Sequence, residues 1–170
     1  NEEARGVPFF QGVRDFGFRF PHQRVWTDQP VRLASAKDTL LSVRAPVGRT
    51  NMAQDEVCIG RGLAAVQTRD GRSMTLFHQV RAAHAAWAPY EAEGTVFGSI
   101  SRTQLEHIAI PVVRAEEAAQ VESRLSELED LIASLLREKT ALATTRDQLL
   151  AMLMSGRVRI EDKPALGEGL

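Results

Sequence analysis

An apolar heptad repeat runs through the C-terminal part of the chain. One apolar residue recurs every seven positions, and at three of these steps a second one follows four positions later. No Gly or Pro lies between residues 112 and 155. The spacing predicts a helix from roughly Ala115 to Ser155, about 60 Å long at about 1.5 Å per residue, whose narrow apolar stripe needs a partner helix. The predicted helix-pairing residues are Val121, Leu125, Leu128, Ile132, Leu135, Leu142, Leu149 and Leu153.

The ends of this helix and the interruptions of its stripe are also visible in the sequence. Glu116 and Glu117 lie in the first turn, where the helix dipole favours negative charge, and Gly156 supplies the stop. Lys139 and Arg146 occupy stripe positions where an apolar residue is expected. A charged residue there either weakens helix pairing or fixes its register.

The preceding part of the chain carries short apolar runs separated by turn signals, which predict many short strands and few helices. The strand candidates are Phe16–Phe20, Leu40–Arg44, Glu56–Ile59, Leu63–Gln67, Ile108–Ile110 and, after the long helix, Val158–Ile160. Apolar residues at helical spacing predict a helix over residues 73–88, and Ser101 caps a helical turn over 102–107. The pattern predicts an α+β fold with a mixed globular domain at 1–114, one long helix at 115–156 and a tail at 157–170.

Composition limits the classes of function. The chain has 170 residues, of which 44% are hydrophobic and 25% charged, and its net charge is −1. Residues 1–110 hold 13 basic and 11 acidic residues, whereas 111–170 hold 8 and 11, so any basic surface is a local patch on the first part. Of the 21 basic residues only three are Lys. Arg suits bidentate contacts with phosphate and guanine, although codon bias in a GC-rich genome explains the same excess.

Features that would place the chain in another class are missing. The one cysteine, Cys58, excludes an internal disulfide and a zinc cluster, and its apolar neighbours predict a core position. No run approaches the roughly 20 apolar residues of a membrane span, and no signal peptide is visible. We therefore expect a cytoplasmic protein that makes no contact with a membrane.

Catalytic motifs are missing as well. The sequence has no Gly-Lys-Ser/Thr phosphate loop and no Gly-x-Ser-x-Gly elbow. Its histidines are scattered, without a His or Cys at metal-ligand spacing, and structural or solvated roles are favoured for them: His22, His78, His84 and His107. We expect no catalytic and no metal-ligating residues, and a binding function rather than an enzyme.

Arginines beside tight turns are the candidates for binding. Arg44 and Arg49 flank the turn Ala45–Gly48, and Arg61 stands between two glycines. A turn presents an arginine outward, and a flanking glycine allows a ligand to approach the backbone. Each arginine alone is more often a solvated surface residue, but three within 18 residues favour an anion or nucleic-acid surface. Hydroxyl donors follow at Thr95, Ser99 and Ser101.

The same segments resemble those of a known family, the DNA specificity (S) subunits of type I restriction–modification systems. The resemblance covers roughly residues 5–160 and includes the order of several blocks. The blocks that look like those of a target recognition domain are Leu40–Gly48, Cys58–Ala65 and Gly94–Ser101. Leu105–Pro111 resembles the exit from that domain, and the long helix with its ending Leu153–Ile160 resembles the helical region of the family.

The resemblance implies a non-catalytic function. In the family each recognition domain reads one half of a split double-stranded DNA target, and the long helices set the distance between the halves. The helices also dock the methylation subunits, which use S-adenosylmethionine, and indirectly the restriction subunits, which use ATP and Mg, so no cofactor is expected in this chain. A complete subunit usually has two recognition domains and two helices, whereas this sequence has one of each. We therefore expect either the C-terminal half of a longer subunit or a natural half-subunit that pairs with a second copy through its helix.

The expected DNA face follows from the arginines and the resemblance together. Its residues are Arg44, Arg49 and Arg61, with weaker candidates at Arg14, Arg19, Lys37, Thr95, Ser99 and Arg102. Members with different targets share the recurrent blocks, so Arg44 and Arg61 are expected to hold the DNA backbone or the fold. Residues that read bases are expected within 11–24 or 69–73. The alternative is a coiled-coil assembly protein without DNA recognition, which the leucine ladder alone would also fit.

Overall fold

The computed structural model describes residues 4–91 and 98–158. The strands are β1 Val7–Phe10, β2 Trp26–Thr27, β3 Leu33–Ala34, β4 Thr39–Ser42, β5 Thr50–Met52, β6 Val57–Ile59 and β7 Leu63–Val66. The helices are α1 Ser73–Ala82, α2 His84–Trp87, α3 Arg102–Glu106 and α4 Ala115–Met154, with short 3-10 turns at Val13–Asp15 and Ala88–Tyr90. The chain divides into two compact units, Asn1–Ser126 and Glu127–Leu170. The predicted α+β class with one long C-terminal helix is confirmed.

The first unit contains two small sheets. One has the strand order β2-β1-β6-β3, with β1 and β6 parallel and the other pairs antiparallel. The other is antiparallel with the order β5-β4-β7. Every residue of β4 is buried, because Leu40 packs in a core cluster with Phe10 and Val57 while Leu41 packs in a second cluster with Val80 and Trp87. The central strand is thus covered on both faces, which explains its continuous apolar sequence.

Several predicted elements are confirmed. The strands predicted at 40–44, 56–59 and 63–67 correspond to β4, β6 and β7. α3 begins after Ser101, whose hydroxyl accepts a hydrogen bond from the Gln104 backbone N–H while the Gln104 side chain bonds back to the Ser101 N–H. α4 begins at Ala115, as predicted, and ends at Met154.

Other predicted elements are wrong. Residues 16–20 form an irregular loop, because the Gly17 backbone bonds to the Asn51 side chain and its N–H also to the Phe20 carbonyl, which leaves a single backbone bond to β5, from the Met52 N–H to the Arg19 carbonyl. Residues 108–110 are also irregular, and Ile108 and Ile110 pack against the second core cluster without joining a sheet. The helix predicted over 73–88 is interrupted at Ala83, which separates α1 from α2. Residues 159–170, and with them most of the strand predicted at 158–160, lie outside the described residues.

The first turns of α4 pack into the first unit. Ala118 is buried, and Leu125 packs against a cluster of Met52, Met74 and Phe77. The predicted domain boundary at 114/115 therefore differs from the division into compact units, which falls at Ser126 and Glu127. The residues of the predicted stripe therefore differ: Leu125 packs within the chain, whereas Leu128 and the leucines after it in the ladder stay exposed.

Glu122 of α4 caps the start of α1. Its carboxylate accepts hydrogen bonds from the backbone N–H of Met74 at 3.1 Å and from the N–H and hydroxyl of Thr75 at 2.8 and 2.7 Å. The residue before α1, Arg72, supplies no side-chain cap, and the first turn of α1 has no acidic residue. Glu122 therefore provides both the acceptors and the negative charge that a helix N-terminus favours.

Replacing Glu122 with Ala is expected to lower the free energy of unfolding by about 2 kcal/mol, because it leaves the N–H groups of Met74 and Thr75 without their acceptor. Chemical denaturation followed by circular dichroism measures this change. Glu127→Ala, at an exposed position of the same helix, is the control and should unfold like the unmodified chain. Equal stability of the two variants would contradict a capping role for Glu122.

Candidate nucleic-acid interface

The turn between β4 and β5 is held by hydrogen bonds to Ser42, which is fully buried. The Ser42 hydroxyl donates to the Pro46 carbonyl at 2.6 Å and accepts from the Arg49 N–H at 2.9 Å. The Ser42 N–H donates to the Arg49 carbonyl at 2.8 Å, and the Gly48 N–H donates to the Ser42 carbonyl at 3.1 Å. Arg44 and Arg49, both exposed, therefore project from a closed and well-anchored turn.

A cleft of about 450 Å³, here called the Arg44 cleft, lies on one side of this turn and is lined by Arg44, Arg61, Ser99 and Gln104 among others. Backbone pairing brings these residues together. Arg44 and Ser99 form an antiparallel bridge, with bonds from the Ala45 N–H to Gly98 O at 2.9 Å and from the Ile100 N–H to Val43 O at 3.0 Å. The Val43 N–H donates to Gly62 O at 3.0 Å, which places the Arg61 turn beside them.

The glycines around Arg61 pack against the protein itself. A Cβ atom on Gly62 would lie 2.5 Å from the Gln11 carbonyl oxygen, and one on Gly60 would lie 3.1 Å from the Gln11 Cα. The space beside both glycines is thus filled by the chain that follows β1. The expectation that these glycines leave room for a ligand is wrong, although Arg61 between them is exposed as predicted.

Two further clefts adjoin the same turn. A cleft of about 740 Å³, here called the Arg49 cleft, is lined by Phe18, Arg49, Arg81, His84, Trp87 and Glu91 among others. A third of about 530 Å³, here called the Arg14 cleft, is lined by Gln11, Arg14, Arg24 and Pro46 among others. Basic side chains thus surround the β4–β5 turn on several sides, although the net charge of the whole chain is −1.

Most of these basic side chains are not neutralised within the part of the chain that the structure describes. No salt bridge there involves the exposed Arg14, Arg44, Arg49, Arg61 or Arg81. Arginines elsewhere differ, since Arg72 pairs with Asp70, Arg114 with Glu117 and Arg146 with Asp147. Arginines that gather around one turn without salt bridges favour a local positive potential, which is the electrostatic signature of an anion-binding surface.

Arg24 is the exception at the Arg14 cleft, because it pairs with the buried carboxylate of Asp15. Burial alone would raise the pKa of Asp15, but hydrogen bonds from the Gln11 N–H at 2.8 Å, from Arg24 and from the Gly12 N–H outweigh it. The net effect holds the pKa of Asp15 below its ordinary value of 3.8. Asp15 is therefore ionised at neutral pH and fixes the loop that carries Arg14.

The remaining predicted site residues lie in different places. Arg102 is exposed near the Arg44 cleft, where its hydrogen bond with Glu106 at 2.9 Å raises its pKa. Lys37 is exposed on the turn between β3 and β4, with a φ of 71°, and lines none of the three clefts described above. Thr95 lies outside the described residues.

Arg19 is the clear departure from the predicted DNA face. The residue is 4% exposed, and its guanidinium carbon lies 4.9 Å from the centre of the Phe77 ring. Its side chain packs inside the domain as a cation over an aromatic ring and has no surface to offer to DNA. Conversely, Arg81 and His84 were missed, and Phe18 was covered only by the range 11–24, because nothing in the sequence shows that the end of α1 and the 16–20 loop meet at one cleft.

The leucine ladder of α4 remains largely uncovered. Leu128, Leu135, Leu142 and Leu149 are between 48 and 62% exposed. Such a row of exposed leucines on one helix is unusual for a surface that stays in water. No helix in the described part of the chain is long and apolar enough to cross a membrane. Those same residues also contain no group of His, Cys, Asp and Glu side chains that could hold a metal ion.

The chain is similar in sequence to a putative type I restriction enzyme specificity subunit, MjaX, of Methanocaldococcus jannaschii. The two are 33% identical over 162 residues, which are 95% of this chain and 38% of the relative. No protein-family model matches the chain.

Solved structures give the same result. A chain from a study of assembly and conformational transition of the type I R-M system is 35% identical with a TM-score of 0.61, and the match covers 88% of this chain and 37% of that one. The HsdS subunit of Thermoanaerobacter tengcongensis is 36% identical with a TM-score of 0.62, covering 81% and 33%. The S subunit of M. genitalium, 17% identical with a TM-score of 0.66, covers 91% and 40% and supports the fold alone.

This chain thus spans between 33 and 40% of the length of these relatives. Its order of elements, a mixed domain of short strands followed by one long helix, agrees with the resemblance seen in the sequence. By sequence and by fold, the chain is a homologue of part of the specificity subunits of type I restriction–modification systems.

Proposed function

We propose that this chain recognises a specific double-stranded DNA sequence as the specificity subunit, or half-subunit, of a type I restriction–modification complex. The observation that carries the proposal is the group of arginines around the β4–β5 turn that form no salt bridge within residues 4–91 and 98–158. Arg44, Arg49 and Arg61 lie on fixed turns at the clefts, with Arg14 and Arg81 nearby. Guanidinium groups carried on anchored turns suit contacts with the phosphates of a duplex.

The chemistry of the complex is proposed to belong to its partners. The chain would dock the methylation subunits, which would supply S-adenosylmethionine, and indirectly the restriction subunits, which would use ATP and Mg. This chain would do no catalysis itself. The relatives whose names or structures place them in type I systems support these partners, and a cytoplasmic location fits them.

The long helix is proposed to pair with a second long helix through its exposed leucines. In a half-subunit that second helix comes from another copy of this chain, which would place two recognition domains on one complex and give a symmetric split target. In a longer subunit it comes from elsewhere in the same polypeptide. The alternative function, a coiled-coil assembly protein without DNA recognition, shares the helix pairing but needs no basic face.

The first experiment is selection from random duplex DNA by the chain together with its methylation subunits. An enriched split motif, together with binding that weakens as salt rises, would support DNA recognition. A symmetric motif from a dimeric chain would support the half-subunit, whereas a single half-site from a monomer would support a missing second half. No enrichment and no salt-dependent binding would favour the assembly protein.

Changing Arg44 and Arg61 to Ala is expected to weaken binding about tenfold or more on all duplexes alike, because phosphate contacts carry no sequence information. The slope of log affinity against log salt should fall by about 0.9 for each phosphate that the variant no longer binds. Fluorescence anisotropy with labelled duplexes at several salt concentrations measures both quantities. Arg124→Ala/Arg137→Ala also removes two positive charges, from exposed residues that line none of the three clefts, and serves as the control. A loss confined to one base position would contradict this assignment.

A further inference from the structure

Phe18 is presented to solvent by a loop whose neighbouring residues are fixed in the domain. The Asn51 side chain accepts from the Gly17 N–H at 3.1 Å and donates to the Gly17 carbonyl at 3.0 Å. On the other side, the Met52 N–H donates to the Arg19 carbonyl at 2.9 Å, and the Arg19 side chain is buried against Phe77. Residues 17 and 19 are both anchored inward, and Phe18 between them is 72% exposed, with its ring centre 5.7 Å from the guanidinium carbon of Arg19.

Arg81 and His84 face the same cleft from the junction of α1 and α2. Arg81 lies in the last turn of α1, and His84 begins α2 after the break at Ala83. Trp87 holds this junction, because it is 4% exposed and its indole N–H donates to the Val80 carbonyl at 3.3 Å. The exposed side chains of Arg81 and His84 thus stand on a fixed wall of the Arg49 cleft.

The Arg44 and Arg49 clefts differ in the groups they offer. The Arg44 cleft combines two arginines with serine hydroxyls and exposed turn backbone, a set that suits phosphate oxygens. The Arg49 cleft adds an exposed aromatic ring, an imidazole and one carboxylate, Glu91, to its arginines. An apolar ring matches a thymine methyl group, a guanidinium matches the guanine edge, and a carboxylate matches the cytosine amino group. A phosphate group needs neither the apolar ring nor the carboxylate.

We infer that the Arg49 cleft is the base-reading part of the DNA face and that Phe18 and Arg81, assisted by His84, determine the sequence preference. The inference rests on the proposed function, since it assigns specificity within the same surface. Arg81 and His84, at the junction of α1 and α2, lie outside the two segments that the sequence suggested for base reading, 11–24 and 69–73. Phe18 lies inside the first of these segments. The Arg44 cleft then holds the DNA backbone.

The test compares conservative variants on the same randomised duplex library, with the chain bound to its methylation subunits. Arg81→Lys keeps the charge but loses the bidentate fork. Phe18→Ala removes a ring that is 72% exposed, and the buried Arg19 guanidinium that it contacts at 5.7 Å keeps its closer contact with Phe77 at 4.9 Å. In both variants the preference for the correct base is expected to fall about tenfold at one or two positions of the motif. The slope of log affinity against log salt should stay unchanged. Arg137→Lys, at an exposed position of the long helix that lines none of the three clefts, is the matched control and should retain the wild-type motif.

The outcomes separate this inference from the function on which it rests. Relaxed preference at defined positions in Arg81→Lys or Phe18→Ala supports base reading at the Arg49 cleft. If both variants keep the full wild-type motif, or weaken binding equally on every duplex, the inference is overturned and DNA recognition stands. If the unmodified chain enriches no motif, the proposed function fails and the inference fails with it.

Discussion

Replacing Gly48 with Ala is expected to destabilise the first unit by about 3 kcal/mol, which lowers its melting temperature by about 10 °C. Gly48 has a φ of +82°, a conformation that costs an L-residue energy. A Cβ atom there would also lie 2.3 Å from Cγ and 2.5 Å from Cδ1 of the Trp87 ring. Trp87 is buried in the second core cluster and its indole N–H donates to the Val80 carbonyl, so moving the ring away would disrupt both its packing and this hydrogen bond.

Gly71→Ala is the matched control for this substitution. Gly71 has a nearly equal φ of +79°, but a Cβ atom on it would meet nothing within 4 Å. The control therefore isolates the conformational cost, which we expect to be about 1 kcal/mol. Differential scanning fluorimetry of the two variants measures the difference. Equal losses of stability would contradict the tight packing of Gly48 on Trp87.

The same pair of variants tests how the turn contributes to binding. Gly48 lies between Arg44 and Arg49 in a turn closed by Ser42. A shift of this turn away from Trp87 would move both arginines relative to Arg61, so Gly48→Ala should weaken DNA binding at a temperature where it remains folded. Gly71→Ala, which leaves the turn in place, should bind DNA like the unmodified chain.

Elements with strong local patterns could be predicted from the sequence, whereas those that depend on distant partners could not. The heptad repeat and the absence of Gly and Pro predict α4 nearly to its ends, and a short apolar run predicts β4. The 16–20 segment alternates as a strand does, yet Asn51, a residue 34 positions from Gly17, satisfies its backbone. An alternation of apolar and polar residues indicates which side chains are buried, but it does not indicate which groups the backbone hydrogen-bonds to.

The candidate site shows the same limit. The exposure of Arg44, Arg49 and Arg61 could be predicted from their turns, because exposure at a turn is a local property. The burial of Arg19 depends on the distant Phe77, and the convergence of Phe18 with Arg81 depends on how the loop and α1 pack. Likewise, the heptad pattern is uniform through Leu125 and Leu128, so the sequence does not show that Leu125 packs into the first unit while Leu128 stays exposed.

Changing Leu135 and Leu142 together to Asp is expected to weaken pairing of the long helix at least about 1000-fold. Each leucine side chain removed from water in a paired helix contributes roughly 1.5–3 kcal/mol, and a carboxylate in the seam adds a cost of desolvation. Both leucines are more than half exposed in the single chain, at 54 and 62%, so the substitution should leave the folding of that chain largely unaffected.

Light scattering measures the result. A self-pairing chain should have about twice the mass of 18.8 kDa, and the Leu135→Asp/Leu142→Asp variant should have the single mass. Ser134→Asp/Ala141→Asp is the matched control, because it adds the same charges at neighbouring exposed positions that lie outside the stripe, and it should remain dimeric. A monomeric unmodified chain would contradict self-pairing, and a control that dissociates like the leucine variant would show that charge on the helix, rather than the apolar seam, governs assembly.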